Sequence, residues 1–131
     1  APPDFDALTI ALTLDRAALY ARVDRRAEAM FERGLLAEVA ALLADGYDPD
    51  APAFSSIGYR EAIACLRGDL SPAAALDRLK FGTHRYIRQQ DAWLRRQADV
   101  HWTDAIDPVT ARSDAIRLIE GFLAGEVTPR E

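Results

Sequence analysis

The chain has 131 residues, half of them apolar but only 8% aromatic, and a formal net charge of −5. This length fits one domain and can bury a core, and the acidic balance excludes a globally basic nucleic-acid coat while allowing a local basic face. The single cysteine, Cys65, excludes an internal disulfide framework and a cysteine-based metal site. No apolar stretch approaches the ~20 residues that span a bilayer, so we expect no membrane partner and a cytoplasmic location.

The first predicted element is a strand at residues 5–14. Its apolar and small residues alternate: Leu8, Ile10, Leu12 and Leu14 on one side, and Ala7, Thr9, Ala11 and Thr13 on the other. Because neither side is charged, the pattern predicts an interior strand that is covered on both faces. Such a strand needs neighbouring strands, which so short a chain hardly supplies.

Three helices are predicted over residues 15–68. The first begins at the N-cap Asp15 and ends before Gly34, and the second runs from about Leu35 to Asp45 and is stopped by Gly46. A proline-rich loop at 47–56 precedes the third, which is short and ends at Gly68.

Two arginines of the first helix, Arg22 and Arg26, lie four residues apart and therefore project from one face. Two guanidinium groups in this arrangement suit a phosphate or a diphosphate. Ion pairs with Asp15, Asp24 or Glu32 are the other interpretation, and the residues alone favour it.

The segment Ile57-Gly58-Tyr59-Arg60-Glu61 stands where the loop becomes the third helix. Gly58 allows a positive φ or a close backbone approach, and the free N–H groups of a helix start bind anions. An ordinary junction between loop and helix is the alternative.

Residues 71–97 are predicted to form one long amphipathic helix, opened by Ser71-Pro72. Its apolar arc holds Leu76, Leu79, Tyr86, Ile87, Trp93 and Leu94, and its opposite arc holds Arg78, Arg85, Arg88, Arg95 and Arg96. The segment has six Lys/Arg and two Asp, so its charge is +4 and the rest of the chain carries −9. A basic ridge on an acidic body suits a phosphate backbone, although a merely solvated helix face is favoured on composition alone.

The remaining predicted elements are a short strand at 100–103 and a helix at 108–124, which carries Val109, Ile116, Ile119 and Phe122. Residues 1–131 are thus predicted to be a single domain or fragment, mainly α with two short strands. The sequence contains no G-x-x-x-x-G-K-[ST] phosphate loop, and His84 and His101 lack metal-ligand spacing. The residues alone predict a helical domain with a basic ridge that faces nucleic acid.

The order of the motifs resembles the C-terminal part of the tRNA dimethylallyltransferases, also called tRNA isopentenyltransferases. Residues 19–26, LYARVDRR, are similar to that family's L-x-x-R-I-x-x-R, and residues 30–39, MFERGLLAEV, to its M-x-x-x-G-[LF]-x-x-E-V. Residues 57–61, IGYRE, match I-G-Y-[RK]-[EQ], and residues 83–95, THRYIRQQDAWLR, resemble T-R-x-[YL]-A-[KR]-R-Q-x-T-W-[FL]-R. His101-Trp102 matches the family's H-W. The ordered set is far more specific than any one piece.

The resemblance implies a parent enzyme that transfers a dimethylallyl group from its diphosphate to N6 of adenosine 37 in the tRNA anticodon loop. That family has a P-loop-type α/β core with a helical insertion, in whose sheet the two strands of this chain would be neighbours. Arg22 and Arg26 match residues that would lie near the diphosphate. The implied tRNA-binding residues are Ile57, Gly58, Tyr59, Arg60, Arg88, Gln90, Trp93 and Arg95, to which we add Arg85 of the same helix.

The family's phosphate loop and its general-base Asp belong to an N-terminal half that has no counterpart in this sequence. We therefore assign no catalytic residue here and expect the chain to be inactive alone. The resemblance implies Mg²⁺ for the parent enzyme but none bound by this chain. The implied partners are the tRNA anticodon stem-loop, dimethylallyl diphosphate and the missing N-terminal half. Three departures stand out: His84 and Gln89 replace arginines of the family motif, and Asp91 adds a negative charge.

The alternative hypothesis is a non-enzymatic helical interaction module that pairs with a partner chain or with itself through its apolar strand edge. A decayed homologue with neither role is a third hypothesis.

Overall fold

A computed structural model describes residues 6–127 of the chain. Those residues form two strands, five α-helices and one 3₁₀ turn at Pro52–Ser55. In chain order the elements are β1 Thr9–Thr13, α1 Arg16–Glu32, α2 Leu35–Ala44, α3 Tyr59–Leu66, α4 Pro72–Leu94, β2 Val100–Asp104 and α5 Pro108–Leu123. The predicted fold class, mainly helical with two short strands, is confirmed.

The described residues form two compact units, where the sequence predicts one domain or fragment. One unit consists of residues 6–18 and 89–127, and it contains both strands and α5. The other consists of residues 19–88, and it contains α2, α3 and most of α1 and α4.

The two strands pair in parallel, with Thr9 opposite Val100 and Thr13 opposite Asp104. The expectation that they are neighbours is therefore confirmed. Strand β1 is shorter than the predicted 5–14; residue 5 lies outside the described residues, and residues 6–8 and 14 lie outside the strand. Cover on both faces is the wrong expectation for the described residues, because pairing with β2 occupies an edge of β1 and covers neither face: Ala11 is buried, but Leu12 on the opposite face is 63% exposed.

The core of the unit at residues 19–88 lies where α2 and the 3₁₀ turn pack against α3. Its buried members are Leu35, Val39, Phe54, Ala62 and Ile63. Gly34, between α1 and α2, has a φ of +100°, which lets the chain turn without the steric penalty that a Cβ would bring. The turn places the apolar stripe of α2 against α3.

Helix α4 begins as predicted, since the Ser71 side chain accepts a hydrogen bond of 3.1 Å from the backbone N–H of Ala74. It ends at Leu94, three residues before the predicted end at 97. Leu79 is buried, whereas Tyr86 and Trp93 of the predicted apolar arc are more than half exposed. The helical period identifies the apolar arc but not how much of it another element covers.

Helix α5 begins at Pro108 as predicted, and the carboxylate of its N-cap Asp107 accepts hydrogen bonds from the backbone N–H groups of Val109 and Thr110. The helix contacts β2 and buries Ala111, while Val109 is 73% exposed. Among the described helices, none combines the length and the apolar character that crossing a membrane requires.

Candidate functional site

The loop before α3 is organised around Gly58, whose φ is +106°. Of the two alternatives that the sequence leaves open for Gly58, the structure shows the positive φ. A Cβ at this position would lie 3.6 Å from Cε of Met30 and 3.7 Å from Cδ1 of Leu79, which are ordinary contact distances. The backbone conformation, and not a lack of space, makes glycine the suitable residue here.

Glu61 holds this loop to the start of α3. Its buried carboxylate accepts a hydrogen bond of 2.7 Å from the backbone N–H of Gly58 and bonds of 3.0 and 2.8 Å from Nε and Nη2 of Arg60. The expectation that this helix start offers a free N–H to an anion is corrected, because a carboxylate of the chain already binds the Gly58 N–H. This role of Glu61 was not predicted from the sequence, although an acidic residue three positions after a cap is the relevant signal.

Tyr59 and Ile57 face two different neighbours within the unit at residues 19–88. The Tyr59 hydroxyl donates a hydrogen bond to Glu38, and this bond raises the pKa of Tyr59 above its ordinary value. Ile57 lies against α4, since its Cγ2 is 3.7 Å from where a Cβ on Gly82 would stand. The structure thus brings Ile57 to α4 within one turn of Arg85.

Six side chains connect α1 to α4, and we call them the polar ladder: Tyr20, Asp24 and Glu28 on α1, and Lys80, His84 and Arg88 on α4. In three contacts, Nη1 of Arg88 donates to the Tyr20 hydroxyl at 3.2 Å, Nε2 of His84 lies 2.7 Å from Asp24, and Nζ of Lys80 donates to Glu28 at 2.6 Å. The Tyr20 and His84 rings are also stacked, with centroids 3.9 Å apart. Only Arg88 of this set was predicted as a site residue; the four-residue spacing on both helices is the signal that identifies the others.

The pair Arg22 and Arg26 is exposed on α1. The ion pairs favoured from sequence are the wrong expectation: among residues 6–127, neither arginine lies within ion-pair distance of an acidic side chain. One expected partner, Asp24, binds His84 instead. Both guanidinium groups therefore keep their charge available to another anion.

Three basic side chains of α4 in the same unit, Arg78, Arg85 and Arg88, are exposed as predicted. Within the described part of the chain none of them forms an ion pair, and Arg88 binds only the neutral hydroxyl of Tyr20. Arg60 differs, because Glu61 compensates its charge. In this part of α4, the positive charges without an acidic partner are therefore those of the three arginines.

The unit at residues 6–18 and 89–127 contains the other predicted contacts. Gln90 is exposed and Trp93 is 55% exposed. Nε of Arg95 donates to both carboxylate oxygens of Asp91, at 3.1 and 3.0 Å, and its guanidinium carbon lies 5.1 Å from the Trp102 ring centroid. The bond to Asp91 raises the pKa of Arg95 above its ordinary value. Asp91 therefore compensates the charge of Arg95 in this structure.

The described residues offer no suitable site for the Mg²⁺ that the resemblance implies for the parent enzyme. Between residues 6 and 127, no three His, Cys, Asp or Glu side chains are placed to hold a metal ion together. Hard divalent cations such as Mg²⁺ need several oxygen ligands, and the described residues do not bring such a set together.

Comparison with known proteins gives consistent matches over most of the chain. A family model described as IPP transferase matches residues 1–97. A tRNA dimethylallyltransferase of Thermomicrobium roseum is 46% identical over 106 residues, which cover 81% of this chain and 32% of that protein. A tRNA dimethylallyltransferase of Dehalococcoides mccartyi is 40% identical over 124 residues, which cover 94% of this chain and 38% of that protein.

Solved structures agree with these matches. The full-length tRNA isopentenylpyrophosphate transferase from Bacillus halodurans matches with a TM-score of 0.80 and 33% identity, over 95% of this chain and 40% of its own. The tRNA delta(2)-isopentenylpyrophosphate transferase from Staphylococcus epidermidis matches with a TM-score of 0.80 and 26% identity, over 89% of this chain and 39% of its own. The chain spans about a third of the length of the curated relatives it matches, in their C-terminal part.

Proposed function

Because the chain belongs to the IPP transferase family, we propose that it supplies a tRNA-contacting surface to an enzyme that prenylates tRNA. The reaction proposed for that enzyme is transfer of a dimethylallyl group from its diphosphate to N6 of adenosine 37 in the anticodon loop. One observation carries the proposal: Arg85 and Arg88 are exposed on α4 and, among the described residues, have no acidic partner.

An exposed arginine without an acidic partner is well suited to an RNA backbone. Its guanidinium group is always charged, and its planar donors match phosphate oxygens. Each phosphate that it neutralises releases counterions, which makes binding weaker as salt rises. Arg85 and Arg88 thus fit contacts with the RNA phosphate backbone. Ile57 and Tyr59, in the same unit, fit contacts with the adjoining surface of the stem-loop.

Trp93, in the other unit, fits a different kind of contact. The residue is 55% exposed, which suits stacking of its ring on an unpaired base. Stacking of a base on an aromatic ring contributes about 1–3 kcal/mol and tolerates any base. Gln90 is exposed as well and offers a donor and an acceptor to RNA.

Arg22 and Arg26 are proposed as the diphosphate-binding pair. They lie one helical turn apart on α1, and neither has an acidic partner within residues 6–127. Two guanidinium groups spaced in this way can hold oxygens of both phosphates of dimethylallyl diphosphate. Removing either one should weaken diphosphate binding in the whole enzyme without changing RNA binding by this chain.

The proposed role of these residues is binding and orientation. The relatives are about three times as long as the matched segment, so we propose that the catalytic groups belong to the part of the parent enzyme outside these 131 residues. Because tRNA is the proposed substrate, we also propose a cytoplasmic location.

Measurement of RNA affinity against salt concentration tests the proposal. With an anticodon stem-loop RNA, Arg85→Ala and Arg88→Ala should each weaken binding and reduce the salt slope by about one unit. Arg112→Ala is the matched control, because Arg112 is an exposed arginine on α5 without an ion pair among the described residues. If the salt slopes of all three variants are equal, these arginines of α4 do not contact the RNA.

A second candidate, the interaction module, is favoured by one observation in the unit that contains the strands. Leu12, Ile106 and Val109 are 63%, 73% and 73% exposed, and aliphatic side chains of this kind are what a partner chain covers. This candidate predicts concentration-dependent self-association in sedimentation experiments, together with no salt-dependent RNA binding.

A further inference from the structure

Arg88 differs from the other exposed arginines of α4 because a neighbouring helix holds it. Its Nη1 donates a 3.2 Å hydrogen bond to the Tyr20 hydroxyl, whereas Arg78 and Arg85 make no side-chain hydrogen bond among the described residues. An arginine that is already ordered loses less conformational freedom when it meets a phosphate.

Tyr20 is itself held by two further residues of the polar ladder. Its ring lies flat on that of His84, with an interplanar angle of 5°. His84 is in turn fixed by Asp24, whose Oδ1 lies 2.7 Å from Nε2 of the imidazole. Asp24 thus orients His84, His84 supports the Tyr20 ring, and Tyr20 presents its hydroxyl to Arg88.

We propose that Tyr20 is a positioning residue for RNA binding: supported by His84 and Asp24, it holds the Arg88 guanidinium in place for a phosphate. This inference rests on the proposed function, since it assigns Arg88 to the RNA backbone. It adds three residues, Tyr20, Asp24 and His84, to the determinants of that contact, although none of them needs to touch RNA. The neutral Tyr20 hydroxyl orders Arg88 and leaves its charge uncompensated. Arg60 differs, because the carboxylate of Glu61 compensates its charge.

The test uses Tyr20→Phe, which keeps the ring on His84 and removes only the hydroxyl. Affinity for an anticodon stem-loop should fall roughly two- to tenfold, the cost expected for immobilising one long side chain on binding. The salt slope should stay the same, because Arg88 keeps its charge. Tyr47→Phe is the matched control, since Tyr47 is exposed and its hydroxyl binds no described residue.

A double-mutant cycle with Arg88→Ala separates positioning from a general structural effect. In the Arg88→Ala background, Tyr20→Phe should cause no further loss of RNA affinity. A loss of equal size in both backgrounds would overturn the proposal, and so would an affinity of Tyr20→Phe equal to that of the unchanged chain. A gain in affinity would also overturn it, because the hydroxyl would then be competing with phosphate for Arg88.

A readout without RNA distinguishes this proposal from the proposed function. The Arg88 Nε–H signal in NMR relaxation should report an ordered side chain in the unchanged chain and a mobile one in Tyr20→Phe. If this difference is seen but the unchanged chain does not bind the stem-loop, the proposed RNA contact fails while Tyr20 still positions Arg88. If Arg88 is equally mobile in both proteins, the positioning role is wrong whatever the RNA result.

Discussion

The backbone nitrogen of Gly58 lies 2.7 Å from Oε2 of Glu61, so a buried carboxylate fixes the second residue of the Ile57–Arg60 segment. The same carboxylate accepts two hydrogen bonds from the Arg60 side chain. Glu61 therefore serves the fold and the candidate site at once, because it closes the helix start and orients an exposed arginine.

Replacing Glu61 by alanine should destabilise the chain by about 2 kcal/mol, because it leaves the buried Gly58 N–H without an acceptor. Urea denaturation followed by circular dichroism measures the change in the free energy of unfolding. Glu32→Ala is the control, since Glu32 is exposed in the last turn of α1 and makes no ion pair among the described residues. Equal stabilities of the two variants would show that Glu61 does not hold this junction.

Two glycine substitutions should have opposite effects on stability. Gly58→Ala should cost more than about 1 kcal/mol, because alanine at a φ of +106° is strained. Gly82→Ala should stabilise the protein by up to about 1 kcal/mol, because Gly82 lies inside α4 and the new Cβ would stand at an ordinary 3.7 Å from Ile57. Thermal unfolding of both variants checks this pair; a stabilised Gly58→Ala would contradict the assigned backbone conformation.

We expect Asp91 to restrain the proposed RNA binding, since both of its carboxylate oxygens accept from Nε of Arg95. Asp91→Asn should strengthen stem-loop binding and make the salt slope steeper by up to about one unit, because Arg95 becomes available to a phosphate. Asp77→Asn makes the same charge change on the same helix, where Asp77 has no ion pair among the described residues, and should have the smaller effect. If Asp91→Asn and Asp77→Asn change the affinity and the salt slope equally, the net charge alone determines the effect, and the release of Arg95 does not contribute.

The N-cap residue of α5, Asp107, should make the free energy of unfolding depend on pH in the acidic range. Hydrogen bonds from the Thr110 side chain and from the backbone N–H groups of Val109 and Thr110 lower the pKa of Asp107 in the folded chain. Its stabilising contribution is therefore complete above the unfolded-state pKa of about 4 and is lost as the pH falls through the lower folded-state value. Asp107→Ala should be less stable than the unchanged chain at neutral pH.

The stability difference between Asp107→Ala and the unchanged chain should shrink as the pH falls below about 4. Unfolding midpoints measured across this range check the expectation. Asp69→Ala serves as the control, because the exposed Asp69 carboxylate makes no hydrogen bond or ion pair with the described residues. A difference that is constant with pH would show that the charge of Asp107 does not stabilise the helix.

The elements of the fold were predictable from local signals. Asp15, Ser71 and Asp107 cap helices as their residue types indicate, and Gly34 and Gly58 take the positive φ that glycine permits. Burial was less predictable, because it depends on which element lies opposite. Leu12 alternates as a core residue should, yet within the described residues the sheet has only two strands and leaves it exposed.

Pairing of charges was the least predictable feature of the candidate site. Arg22 and Arg26 have acids within one or two helical turns, but Asp24 binds His84, which is 60 positions away in the sequence. The ladder that holds Arg88 likewise joins residues 68 positions apart. The four-residue spacing on each helix was visible in the sequence, whereas the choice of partner helix required the tertiary fold.

The proposed contact between this chain and tRNA is tested by the affinity of the chain for an anticodon stem-loop at two salt concentrations, with a scrambled hairpin of the same length as control. We expect tighter binding to the anticodon stem-loop than to the scrambled hairpin, and we expect salt and Arg88→Ala to weaken it. Equal binding to both hairpins at both salt concentrations, or the absence of binding at low salt, would contradict it.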